Sequence, residues 1–167
     1  MKLFHEIDPE TLTENVFGLI GKEWMLVTAG DRSSFNTMTA AWGGLGIMWQ
    51  KKTAWCFIRP NRYTFEFMER CSHFTFSFLD EQHRDILTYC GSNSGRNVNK
   101  IAETGLTPVF SDKSVYFAEA RLVFECRKMY FQDLVPQNFL SPEIEDFYPL
   151  KDYHRMYLGE IVGCLSK

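Results

Sequence analysis

The chain has 167 residues, 45% of them hydrophobic and 23% charged, which suits one domain with one core and makes disulfides or metals unnecessary for stability. Its net charge of −3 disfavours a general nucleic-acid binder, so an anionic ligand would have to meet local positive charge. Aromatic residues reach 16%, with 15 Phe, as fits a strand-rich chain, a flat-ligand site or a buried subunit interface.

The five cysteines (Cys56, Cys71, Cys90, Cys126 and Cys164) are odd in number, widely spaced and form no C-x-x-C pair. They are expected to be reduced, buried and apolar in role, with neither a disulfide framework nor a metal site. The N-terminus carries no apolar h-region, and no apolar run approaches the ~20 residues that span a bilayer. The expectation is a cytoplasmic protein without membrane or nucleic-acid partners.

In chain order, Asp8 caps a short helical start at Pro9 that runs toward Asn15. Trp24 to Ala29 reads as a strand, Gly30-Asp31 as a turn, and Asn36 to Trp42 as the partner strand. Thr53 to Arg59 is a further strand closed by Pro60. Asn61 is placed to cap a helix from Arg62, with Thr64, Phe67, Met68 and Cys71 on one face. In His73 to Leu79, Phe74, Phe76 and Phe78 face one side and Thr75 and Ser77 the other. Helices are expected over Gln82 to Cys90, stopped by Gly91, and over Arg96 to Thr104, stopped by Gly105, with a flexible loop between them.

Ala120 to Asp133 is the longest strand pattern. Its apolar parity flips after Lys128, which predicts a β-bulge. Ser141-Pro142-Glu143 opens a short helix or turn, and Tyr153 to Cys164 is the last strand. The patterns give a mainly β fold with short inserted helices, read as a closed barrel in one domain over residues 1–167. No βαβ rhythm and no G-x-G-x-x-G after a strand support a Rossmann site.

Three segments together carry a resemblance. They are Asn36-Thr37-Met38-Thr39-Ala40-Ala41-Trp42-Gly43, then Ile58-Arg59-Pro60-Asn61-Arg62-Tyr63-Thr64, then Ser94-Gly95-Arg96-Asn97-Val98-Asn99-Lys100. In type, order and spacing they resemble the flavin reductase-like, FMN-binding split-barrel family. The ending Asp152 to Ile161 resembles its flavoredoxin-like branch, and longer relatives continue with a segment that covers the site. The resemblance implies a split β-barrel, a homodimer, FMN in a groove at the subunit interface, and NADH or NADPH as electron donor. Alternatives are an electron carrier that binds FMN without acting on a nicotinamide, served by a redox partner protein, and a split barrel holding another flat ligand such as haem.

FMN joins a phosphate, a polar ribityl chain and a flat tricyclic ring. A helix N-terminus at Pro60, Arg62, Tyr63 and Thr64 offers an anion site, to which Arg59, Ser94, Gly95, Arg96 and Lys100 can add. Arg96 and Lys100 are expected four apart on one helical face. Asn36, Thr37, Met38, Thr39 and Ala40 are expected at the ring's pyrimidine edge, with Trp42 either flanking the ring or placed in the core. Trp49 and Trp55 are assigned to the core or the dimer interface. His154 is the one candidate for contact with flavin or substrate, and no catalytic triad is expected because flavin reduction needs no side-chain nucleophile.

Overall fold

The computed structural model describes residues 3–167. Its strands are β1 (His5–Glu6), β2 (Met25–Gly30), β3 (Phe35–Ala40), β4 (Gly43–Met48), β5 (Lys51–Ile58), β6 (His73–Leu79), β7 (Pro108–Phe110), β8 (Val115–Phe117), β9 (Ala120–Asp133) and β10 (Arg155–Ser166). The helices are α1 (Val16–Gly18, extended by a π-helical turn over Leu19–Glu23), α2 (Tyr63–Arg70), α3 (Arg84–Ser92) and α4 (Lys100–Thr104). One antiparallel sheet runs in the order β3-β2-β6-β9-β10-β5-β4, with β1 added to β10, and β7 and β8 form a separate hairpin.

The two edges of that path, β3 and β4, are consecutive in the chain and are joined by Ala41 and Trp42. No ladder pairs them. The barrel is therefore split rather than hydrogen-bonded all round, which corrects the closed barrel read from the strand pattern. The expected strand to Trp42 stops at Ala40 for this reason, and Trp42 sits at the seam.

Strand β4 was not foreseen, because Gly43, Gly44 and Gly46 lack strand propensity. The indole of Trp55 explains them: a Cβ on Gly44 would come 2.2 Å from Trp55 Cζ2. The glycines let Trp55 on β5 lie flat against β4. Trp49, in the β4–β5 turn, is 55% exposed and is not a core residue.

Phe74, Phe76 and Phe78 on β6 are almost fully buried, with Phe67, Met68, Phe124 and Tyr157 in the same core. Thr75 and Ser77 on the opposite face are buried too, because β8 and the neighbouring helices cover that side. Thr75 Oγ1 donates to the Val115 carbonyl at 2.6 Å. The bulge lies where parity predicted it: Leu158 faces Tyr130 and Gly159 faces Lys128, leaving Met129 as the extra residue. Four of the cysteines are buried, Cys71 is half-buried, and all five are free thiols.

Near the N-terminus, the Asp8 carboxylate accepts from Glu10 N–H and caps one 3-10 turn, Pro9–Thr11. Helix α3 runs through Gly91 to Ser92 instead of stopping before it. No helix among the described residues is long and apolar enough to cross a membrane.

Candidate functional site

The site is built where β3, the start of α2 and the loop before α4 converge. Asn36 on β3 donates from Nδ2 to Thr64 Oγ1 at 2.7 Å, which ties the edge strand to the first turn of α2. Both side chains are buried. Arg62, not Asn61, is the residue before the helix, and it provides no side-chain cap. Phe65 N–H donates to the Arg62 carbonyl at 3.0 Å, which leaves the N–H groups of Tyr63 and Thr64 without a capping oxygen, as an anion site requires. Asn61 instead donates to Asp152 Oδ2 at 2.7 Å.

The loop before α4 also departs from expectation. Residues 96–98 are not helical; α4 begins at Lys100, capped by the Asn99 side chain. Asn97 and Val98 N–H groups donate to the Ser94 carbonyl and fold the loop into a turn. Gly95 presses this turn against β3, since a Cβ there would lie 2.0 Å from Asn36 Oδ1. Arg96 and Lys100 therefore do not share a helical face. Arg96 pairs with Glu66, donates to the Asn61 carbonyl at 3.0 Å and lies over the Tyr63 ring, bracing α2 from outside.

Lys100 is 6% exposed, and its Nζ donates to the carbonyls of Thr37 at 2.8 Å and Cys90 at 2.7 Å. An ammonium has three donors, so one remains. Burial lowers its pKa, and the nearby Arg62 guanidinium acts in the same direction. A cavity of about 350 Å³ opens here, lined by Asn36, Met38, Asn61, Arg62, Tyr63, Thr64, Cys90, Gly91, Asn93, Ser94, Gly95 and Lys100. Its lining holds two cations and no carboxylate.

A second cavity of about 200 Å³ shares Met38 and Arg62 with the first, so the two meet along β3. Thr39, Ala40, Ala41, Trp42, Phe57, Arg59 and His154 complete its lining. Trp42 is 42% exposed and tilts over His154, with ring centroids 4.7 Å apart. His154 is 9% exposed, and its Nδ1 lies 2.8 Å from the Tyr148 hydroxyl. Burial, reinforced by the Arg59 guanidinium, lowers the imidazole pKa to about 4, so it is neutral at pH 7.

Not every sequence-nominated side chain is free to meet a ligand in this groove. Thr37 is turned inward, where its Oγ1 accepts from Thr28 at 2.9 Å, and Thr39 Oγ1 donates to the Leu87 carbonyl. Arg59 is committed to Asp152 at 3.0 and 3.1 Å and to the Phe147 carbonyl at 2.7 Å. Pro60 is not among the residues that line either cavity. Tyr148, Asp152 and the end of α3 were missed, because their roles depend on partners distant in sequence or hidden within an irregular segment. A larger, open depression of about 600 Å³ lies beyond the Asn36–Gly95 contact and shares Asn36, Tyr63, Gly95 and Lys100 with the groove.

A family model described as flavin reductase like domain matches residues 17–165. No curated protein matches the chain in sequence. Flavoredoxin of Desulfovibrio vulgaris (Miyazaki F) superposes with a TM-score of 0.67 at 24% identity, covering 86% of this chain and 69% of that one. The FMN-binding domain of a flavin reductases-like enzyme from Shewanella baltica OS155 gives 0.71 at 16% identity, covering 98% and 77%. The NADH:FAD oxidoreductase of Streptomyces globisporus C-1027 gives 0.64 at 15% identity, covering 87% and 75%. These likenesses show a shared fold, and the family match, which spans nearly the whole sequence, places this chain in the flavin reductase-like family.

Proposed function

We propose that this chain is an FMN-binding oxidoreductase that moves electrons between flavin and a nicotinamide cofactor or a redox partner protein. The observation that carries the reading is the groove along β3. It runs from an uncapped helix start, lined by Arg62 and Lys100 and no carboxylate, to an end where the Trp42 ring lies over the His154 imidazole. Such an arrangement fits a ligand with an anionic tail and a flat ring. Bound FMN would supply the ring that accepts and releases electrons.

In this reading the first-turn N–H groups of α2, the Arg62 guanidinium and the remaining Lys100 proton hold the phosphate. Ser94 and Asn93 reach the polar chain. Strand β3 pairs only with β2, so its outer edge has no ladder partner and, apart from the Thr37 carbonyl held by Lys100, can hydrogen-bond the ring. Trp42 and Met38 give the ring apolar contact. The names of solved relatives, flavoredoxin and an FMN-binding domain among them, point the same way.

The same reading includes a homodimer. Ile47, Met48, Trp49, Tyr130, Phe131 and Val135 are large apolar side chains left exposed at one end of β4, β5 and β9, and Trp49 and Tyr130 contact one another. Exposed apolar side chains that meet one another, as Trp49 and Tyr130 do, mark a protein interface.

The test is an absorption spectrum of the purified protein from 300 to 600 nm, with FMN titrated in if it is colourless, followed by anaerobic NADH or NADPH. Flavin bands that bleach support the oxidoreductase. Bands that persist support the carrier that needs a partner protein. A Soret band, or intact folding without FMN binding, sinks the flavin reading.

A further inference from the structure

The segment between β9 and β10 carries Tyr148, which is 1% exposed, stacked on Phe139 and packed against the rings of Tyr153 and His154. Its hydroxyl has one hydrogen-bond partner among the described residues, Nδ1 of His154 at 2.8 Å. A neutral imidazole has one N–H and one acceptor nitrogen. If Nδ1 carried the proton, the phenol would accept it and its own buried proton would have no acceptor. If the phenol donates, Nδ1 is the acceptor and the imidazole proton sits on Nε2. Only the second arrangement satisfies both groups.

Nε2 itself has no hydrogen-bond partner among the described residues. The buried side-chain polar atom that is enclosed without a partner among the described residues is Ser77 Oγ, so Nε2 is not enclosed. It opens into the cavity that His154 lines with Trp42, Arg59 and Arg62. The charged groups facing the imidazole are Arg59, Arg62 and Asp152. Arg59 and Asp152 neutralise each other in their ion pair. Burial and the two guanidiniums disfavour the imidazolium, so the ring offers a neutral N–H over the ordinary pH range.

We propose that Tyr148 is a positioning residue that fixes His154 as an Nε2–H donor, and that this end of the groove takes an uncharged planar ring with a carbonyl oxygen at its edge. The proposal rests on the groove being the flavin site. Two sources share that chemistry: the dioxopyrimidine edge of the flavin and the carboxamide of a nicotinamide. Trp42, tilted over His154, supplies the apolar face such a ring needs.

The experiment is a long-range proton–nitrogen NMR spectrum of the four histidine rings of the intact protein. His154 is expected as the neutral Nε2–H form from pH 5.5 to 8. Tyr148→Phe keeps the ring packing but removes the phenol proton, and should convert His154 to a mixture of tautomers whose titration moves up toward the ordinary histidine range. An Nδ1–H form or an imidazolium at pH 6 in the unmodified protein, or an unchanged spectrum in Tyr148→Phe, overturns the positioning role.

FMN and then NAD⁺ are added to the same sample. A shift of Nε2 on adding FMN assigns the donor to the flavin edge; a shift only on adding NAD⁺ assigns it to the carboxamide. FMN bound by absorbance with no shift from either ligand overturns the ligand assignment. Tyr148→Phe should weaken the ligand that shifts Nε2 by roughly five- to tenfold, and His154→Gln in that background should restore binding through its own N–H. Failure of FMN to bind any variant, with the Nε2–H form intact, defeats the flavin reading and leaves the tautomer assignment standing.

Discussion

Lys100 opens α4 and reaches back across the groove to place its Nζ 2.8 Å from the carbonyl oxygen of Thr37 on β3. Its second bond, to the Cys90 carbonyl near the end of α3, makes one ammonium the junction of three elements. The charge is buried between backbone acceptors, with one donor left for the cavity.

Lys100→Met should therefore act twice. Two carbonyls lose a charged donor, which costs about 1–3 kcal/mol of stability and is read as a lower Tm. FMN affinity should fall about tenfold or more, because a phosphate contact is lost with the charge. A Tm loss with unchanged FMN affinity would show Lys100 to be a structural brace outside the binding site.

Gly95→Ala tests the loop. The added Cβ would lie 2.0 Å from Asn36 Oδ1, so either the Asn36 side chain gives up its bond to Thr64 or the Ser94 turn lifts away from β3. The turn is a surface loop and contributes little to the core, so Tm should change by about 1 kcal/mol equivalent or less. FMN affinity should fall at least fivefold by absorbance titration. Equal affinity in both proteins would place the phosphate elsewhere.

The His154 imidazole makes stability depend on pH. Its folded pKa, lowered by burial to about 4, lies below the ordinary histidine value of 6.5. The unfolded chain takes up the proton first, so the stability present above pH 6.5 is lost as pH falls toward 4. The integrated effect is about 2–3 kcal/mol. Denaturant unfolding from pH 7 to 4 should show this slope, and His154→Gln should remove that part of it. A slope identical in both proteins would mean that His154 is not the titrating group.

Tyr130 is 39% exposed on β9, and its ring meets Trp49 with centroids 6.2 Å apart in the apolar cluster. Tyr130→Lys should shift the protein from dimer to monomer in sedimentation velocity while leaving its circular dichroism unchanged. A monomeric unmodified protein would remove the homodimer from the proposed function.

Some of this molecule is local and was readable as such. The Phe74, Phe76 and Phe78 stripe, the apolar face of α2 and the bulge at Met129 all follow from period-two or helical spacing within one segment. The three segments that resemble the family do converge on one groove, with Asn36, Arg62, Thr64, Ser94, Gly95 and Lys100 lining it. Tertiary structure decided what spacing does not encode. Gly43 to Met48 is a strand because the Trp55 indole needs glycines beside it. Lys100 is inside and Arg96 outside because α4 starts four residues later than its composition indicates. Asn61 turns to Asp152 rather than to the helix, and Tyr148 finds His154 across an irregular segment. Periodicity is a property of neighbours along the chain, whereas each of these pairings depends on how distant segments are brought together, which is fixed only when the barrel has formed.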